Sequence, residues 1–315
     1  LRRGRHVDPA MAGILPGVPS GSAGDPAALR IGRTSGEVAD RPALWPRVCP
    51  SGDTAATIVA DVMERIALLL KSYAPDVAYA QRLVASFHEF NREGLTLHCV
   101  VPSSDVSTFT ALGGDGVLVH AEEDLVGQHL VTASVGGLRP GYANQEIVKL
   151  AFWETGLAAN YFCVDSDAVF LRPFGASDFM RDETTPYTVL VEDNDLKTEP
   201  RYYRDHWVGR EAAIRRIMAE VGLDDPVMRT CHGHQVFSAA VLRSFRDDFL
   251  IPRGWSYRDA LAVSPYEFSW YAMWLQKARP IEIYQREPLV KVSTWQRSCR
   301  ALRRMTWPGH TWPWS

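Results

Sequence analysis

Asp165 and Asp167 stand one residue apart at the end of the apolar run Tyr161-Phe162-Cys163-Val164, and Ala168-Val169-Phe170 follows them. A buried strand ending in two acids puts both carboxylates beyond its carboxyl end, where open parallel sheets hold their ligands. Two converging carboxylates suit a hard divalent cation, Mg²⁺ or Mn²⁺, which takes oxygen ligands and can bridge phosphates. A plainer alternative has Asp165 capping the next turn and Asp167 in solvent. Against it, two acids beside a buried strand end are costly without a partner. A phosphotransferase whose first Asp becomes phosphorylated also fits the pattern, since Val169 follows at the right place. That motif closes the first strand of its domain, however, and a strand-helix-strand series precedes it here.

The elements that must position these acids alternate in type. Ile66–Leu70 reads as a strand, residues 79–90 as a helix, Leu95–Val101 as a strand closed by Pro102, Val106–Leu112 as a short helix and Val117–Ala121 as a strand. Gln145–Glu154 is a helix ended near Gly156, and Tyr161–Val164 is the strand running into Asp165. Such alternation implies an α/β domain with a mixed, mostly parallel central sheet flanked by helices. Further on come strands at Tyr187–Val191, Gln235–Val241 and Ile281–Tyr284. Helices are expected through Ile214, Ile217, Met218 and Val221 and over Phe268–Leu275. No internal repeat and no interdomain linker interrupts residues 54–290, so a single domain is expected there. About 64–171 would form its first half and about 172–290 its second.

Asp165-Ser166-Asp167, with the preceding helix Gln145-Glu146-Ile147-Val148-Lys149-Leu150, resembles the core of GT-A-fold glycosyltransferases, and within them a bacterial branch. The likeness covers roughly residues 64–290. It extends to Lys71-Ser72-Tyr73-Ala74-Pro75-Asp76 and to Glu267-Phe268 with Tyr271. It implies a Rossmann-like GT-A domain, a nucleotide-diphospho-sugar donor, Mn²⁺ or Mg²⁺ held by Asp165 and Asp167, and transfer of the sugar to an acceptor hydroxyl. Lys71, Tyr73 and Asp76 follow the first strand, where base and ribose lie in such a fold. Tyr73 could stack on the base and Asp76 accept from the ribose, although Ala-Pro-Asp is also an ordinary turn with Asp76 as a helix cap. Gln145 and Lys149, four apart, share a helix face near Asp165 and Ser166. Lys149 could neutralise the diphosphate or steady Asp165, or be a solvated surface lysine.

Cys231-His232-Gly233-His234-Gln235 lacks the further ligands a zinc site needs. His232, His234 and Gln235 read either as a polar loop facing sugar or acceptor, with Gly233 allowing close approach, or as a surface loop. Glu267, after Ser264-Pro265, caps its helix on the bland reading, while the resemblance sets it beside the acceptor as general base. Where relatives often carry a second acid, this chain has Ser269. Asp193 and Asp195 are rival bases or acceptor ligands. GT-A enzymes often complete the metal shell with a late His, which here falls to His310. Two rivals remain: a non-catalytic sugar-nucleotide or glycan-binding protein of the same fold, and a nucleotidyltransferase. The second would carry a Gly-rich basic loop after its first strand, and Lys71-Ser72-Tyr73-Ala74-Pro75-Asp76 has no Gly.

The 315 residues are 46% hydrophobic and 23% charged with a net charge of −3, which excludes wholesale disorder and rods. That balance offers no global reason to bind nucleic acid. No apolar run approaches the ~20 residues of a membrane span. Five widely spaced cysteines argue against a disulfide framework. A reducing, cytoplasmic setting follows. The chain begins at Leu1 rather than Met, which leaves open a fragment, a processed form or a missing targeting segment. Residues 1–53 hold 15 Gly or Pro against 28 in the other 262, and read as a flexible arm. Residues 291–315 form a basic, Trp-rich tail in which Arg297, Arg300, Arg303 and Arg304 precede Trp307, Trp312 and Trp314. That composition suits either peripheral membrane contact or packing over an acidic cleft.

Overall fold

Ala67–Lys71 (β1), Leu97–Val101 (β2) and Asn160–Val164 (β4) are buried at every position, as strands covered on both faces must be. With Val117–Ala121 (β3) and Val236–Ser238 (β6) they form a five-stranded sheet in the order β3-β2-β1-β4-β6. Pairing is parallel except between β4 and β6. The computed structural model describes residues 63–190, 200, 203–204, 208–225, 227–230, 234–286 and 289. All of them fall within one compact unit, 44–315. The 1–53 arm, the 291–315 tail, and Asp193, Asp195, His232 and His310 lie outside the described residues.

Alternate residues of each strand feed two cores. Ala67, Leu69, Tyr161 and Cys163 pack with helix α4 (Pro140–Ala151), helix α5 (Glu211–Val221) and helix α8 (Glu267–Ala278). Leu68, Leu70, Cys99, Phe162 and Val164 pack on the other face with helix α1 (Val77–Phe90) and the Phe174–Met180 segment. Cys99 and Cys163 are buried free thiols. The expected architecture, an α/β domain with a mixed, mostly parallel sheet flanked by helices, is the one the chain forms.

The order of the strands fixes where a ligand can enter. From β1 the chain winds outward through β2 and β3, then returns to β4 on the opposite side of β1. Connections leaving β1 and β4 therefore diverge, opening a crevice at their carboxyl ends.

Several boundaries differ from the sequence reading. Short helices occupy Val106–Phe109 (α2) and Glu122–Val126 (α3), the second of them unforeseen. The helix expected from Gln145 starts at Pro140, whose fixed φ suits a first turn. The strand expected over Gln235–Val241 ends at Ser238, and Ala239–Ser244 forms helix α6, continued as a π-helix to Leu250. As an antiparallel edge strand, β6 needs only to match Asn160–Phe162, after which the Ala-Ala-Val-Leu run buries Val241 and Leu242 as a helix. Tyr257–Val263 adds helix α7. The Ile281–Tyr284 expectation shifts to Tyr284–Gln285 (β7), paired in parallel with Tyr187–Thr188 (β5) in a two-stranded sheet.

Candidate functional site

Three carboxylates gather at the crevice. Asp165 and Asp167 leave β4, and Asp76 ends the turn that links β1 to α1. The Ser166 hydroxyl donates to Asp76 Oδ2 at 3.4 Å, tying the two connections together. Burial, and then the charges of Asp167 and Asp165, push the Asp76 carboxyl above the ordinary aspartate value against that bond. Asp167 is exposed, and the Asp165 side chain is 41% exposed, so both open toward solvent.

Behind Asp165 lies a buried charge network. Lys149 Nζ is 3.6 Å from Asp165 Oδ1, 2.9 Å from Glu267 Oε1 and 3.8 Å from Glu146 Oε2, and sits 4.8 Å from the Phe268 ring centroid. The backbone holds the lysine in place as well, because the Tyr161 hydroxyl donates to its carbonyl at 2.7 Å. Burial would strip the ammonium of its proton, but Glu267, Glu146 and Asp165 reverse this and hold it charged. The two glutamates divide their roles. Burial and the Glu267 charge drive Glu146 well above its ordinary value. For Glu267, burial is the largest single influence, but Lys149 and hydrogen bonds from Glu146 and the backbone together outweigh it and keep the carboxylate ionised. Asp165 behaves likewise: burial raises it, while Lys149 and His234 together hold it below the usual range.

His234 completes the inner wall. Its Nε2 accepts from the Asp165 backbone N–H at 3.3 Å and lies 4.0 Å from Asp165 Oδ2, with the ring stacked on Phe162. Burial lowers its basicity first, and Asp165 only partly restores it, which matches a neutral ring accepting at Nε2.

Of the other sequence-derived candidates, Tyr73 is 46% exposed at the mouth and Gln145 is half-buried one turn before Lys149. Lys71 is turned away from the acids: its ammonium pairs with Glu122 Oε2 at 2.9 Å and donates to the Ser72 carbonyl at 2.8 Å. Gln235 is fully buried. It accepts from the Val189 and Val236 N–H groups at 3.1 Å each and donates to the Val189 carbonyl at 2.9 Å, so its amide stitches β6 to the β5 segment. Glu267 is buried against Lys149 rather than open to the crevice. Glu146 and Glu122 were missed. A glutamate three residues before Lys149 on an otherwise apolar helix face was the available signal for the first.

Among the described residues, no group of three or more His, Cys, Asp or Glu side chains is arranged to hold a metal ion. The donors present nonetheless fit Mg²⁺ or Mn²⁺ bound through one or two carboxylates, with water and phosphate completing the shell. Such a cation would relieve the repulsion from Asp167 and Asp165 that adds to the larger effect of burial in raising Asp76. Among the described residues no helix is long and apolar enough to cross a membrane.

No protein-family model matches the chain, and no curated protein matches it. Among solved structures it is similar to mouse xyloside xylosyltransferase 1 in its apo form, with a TM-score of 0.38 and 12% identity over 75% of this chain and 90% of that one.

Proposed function

We propose that the chain is a metal-dependent glycosyltransferase of the GT-A type, moving a sugar from a nucleotide-diphosphate donor to an acceptor hydroxyl. The observation that carries this reading is the meeting of Asp76, Asp165 and Asp167 in the β1/β4 crevice, with the Lys149 ammonium held behind Asp165. A divalent cation at Asp165 and Asp167 would supply Lewis-acid stabilisation of the leaving diphosphate. The chain's own residues do the rest. Lys149 holds Asp165 ionised and fixes its orientation through Oδ1. On this reading Asp76 would accept from a ribose hydroxyl and the exposed Tyr73 ring would take the base. Gln145 lines the α4 side. Glu267 acts one step back, as the counter-ion that keeps Lys149 in place, which leaves Asp193 and Asp195 as candidates for the acceptor base.

A panel of nucleotide sugars scored for Mn²⁺-dependent release of nucleoside diphosphate tests the reading. Asp165→Asn and Asp167→Asn should each abolish release with the fold intact, since both side chains open to solvent. Release that persists in both variants would remove the central claim.

A further inference from the structure

Three acids converge on one ammonium. Lys149 Nζ is 2.9 Å from Glu267 Oε1, 3.6 Å from Asp165 Oδ1 and 3.8 Å from Glu146 Oε2. Glu146 and Glu267 are only 3% and 5% exposed, whereas the Asp165 side chain opens to the crevice. A single positive charge cannot offset two buried carboxylates with a third beside them, and an uncompensated buried charge is costly. Two carboxyl groups that share such a site hold one proton between them.

The contacts show which of the two carries it. Glu267 has the ammonium at hydrogen-bond distance. Glu146 stands beyond that distance, and its Oε2 is buried with no hydrogen-bond partner among the described residues. An ionised Glu146 would therefore strand charge on a dry oxygen, while a neutral one offers Glu267 an O–H donor. A hydrogen bond does join the two side chains, and it raises Glu146 and lowers Glu267, as a proton on Glu146 requires. The other titratable groups at this point, the Tyr142 hydroxyl and the Cys163 thiol, are pushed up by burial and stay neutral. The ammonium then answers to Glu267 and Asp165 alone.

We propose that Glu146 and Glu267 share one proton, carried on Glu146, and that Glu146 is thereby a positioning residue for Lys149. By donating to Glu267 it eases the demand of that carboxylate on the ammonium, so Lys149 stays within reach of Asp165. The consequence for donor binding rests on the transferase reading; the shared proton does not.

Infrared difference spectra of the full chain at neutral pH, native against Glu146→Gln, test the proton directly. A carboxylic-acid carbonyl band that shifts in D2O should be present in the native protein and missing from the variant. Gln replaces the O–H donor with an N–H donor, so the urea midpoint and the affinity for nucleoside diphosphate with Mn²⁺ should match the native values. Glu146→Leu removes the donor, and should lower the midpoint and weaken that affinity about three- to tenfold. Identical acid bands in native protein and Glu146→Gln overturn the proposal. So does a Gln variant as damaged as Glu146→Leu, or a Leu variant with native affinity. Should Glu146→Leu unfold, Glu146→Gln decides: loss of the band with affinity kept supports the proposal, and an unchanged spectrum or lost affinity overturns it. A native protein that shows the band, tolerates Gln and binds no nucleoside diphosphate would leave the shared proton standing and remove the transferase reading.

Discussion

Lys149→Met should be among the most damaging single substitutions in the chain, and its cost should depend on pH in a defined direction. The ammonium is 2.9 Å from Glu267, 3.6 Å from Asp165 and 3.8 Å from Glu146, and side-chain exposure is only 5% at Lys149 and 6% at Glu267. Methionine keeps the aliphatic stem and removes the charge, which leaves the Glu267 carboxylate buried without a counter-ion. Breaking a buried pair from one side costs about 3–5 kcal/mol. At about 2–4 °C per kcal/mol for a domain of this size, the melting temperature should fall by roughly 6–20 °C. In the native chain Lys149, with hydrogen bonds from Glu146 and the backbone, offsets the larger effect of burial and holds Glu267 below its ordinary 4.5, so the stability due to Glu267 is present above that value and fades as pH falls through the folded value. In the variant burial is opposed only by the hydrogen bonds from Glu146 and the backbone, so the Glu267 pKa rises and acidification relieves the strain. Urea unfolding at pH 8 and pH 5.5 should therefore show a large gap between native and variant that narrows at the lower pH. Removing both charges, in Lys149→Met with Glu267→Gln, should recover most of the loss. A gap below about 1 kcal/mol at pH 8, or one that widens on acidification, would refute the account of a buried counter-ion.

Acid sensitivity should also arise far from the crevice. His98 lies on β2 with Nδ1 3.0 Å from His120 Nε2, and burial, then His120, pushes it down to about 4 from an ordinary 6.5. Its contribution is complete above pH 6.5 and is lost as pH falls toward 4, on the order of 3 kcal/mol. Urea unfolding at pH 7 and pH 4 should show a shallower acid loss in His98→Leu, and an equal loss in both proteins would contradict the burial argument. Gln235→Ala should cost about 1–3 kcal/mol by stranding the Val189 backbone groups, with nucleoside diphosphate affinity unchanged. A fall in affinity at unchanged stability would return Gln235 to the ligand site.

The sheet was legible because its central strands are covered on both faces. Ala67–Lys71 and Asn160–Val164 had to be continuous apolar runs, and such runs stand out against amphipathic helices. The second half was harder to read for the converse reason. Val236-Phe237-Ser238-Ala239-Ala240-Val241-Leu242 satisfies strand and helix patterns equally, and only the length of Asn160–Phe162 opposite decides where β6 stops. Tyr284–Gln285 has no strand signal of its own and exists because β5 lies beside it. By contrast α7 carried a readable start. The Asp259 carboxylate accepts from the Ser256 N–H at 2.8 Å and from its hydroxyl at 2.7 Å, the product of a Ser-x-x-Asp spacing.

At the site, the sequence disclosed residue types but not their partners. Asp165 and Asp167 could be found because they are neighbours at a strand end. Lys149 and Glu267, 118 residues apart, meet only through the packing of α4 against α8. Local physics does reach halfway: Glu146 and Lys149 on a helix face otherwise made of Ala143, Ile147 and Leu150 must be buried, and a buried ammonium needs an anion. Which anion answers is settled by the fold. The same division separates Asp165 from Gln235, two polar residues at the ends of adjacent strands. Asp165 keeps 41% of its side chain exposed and can meet a ligand, whereas Gln235 is fully buried and spends its amide on Val189. Exposure at a strand end, rather than polarity there, is what makes a residue available for chemistry.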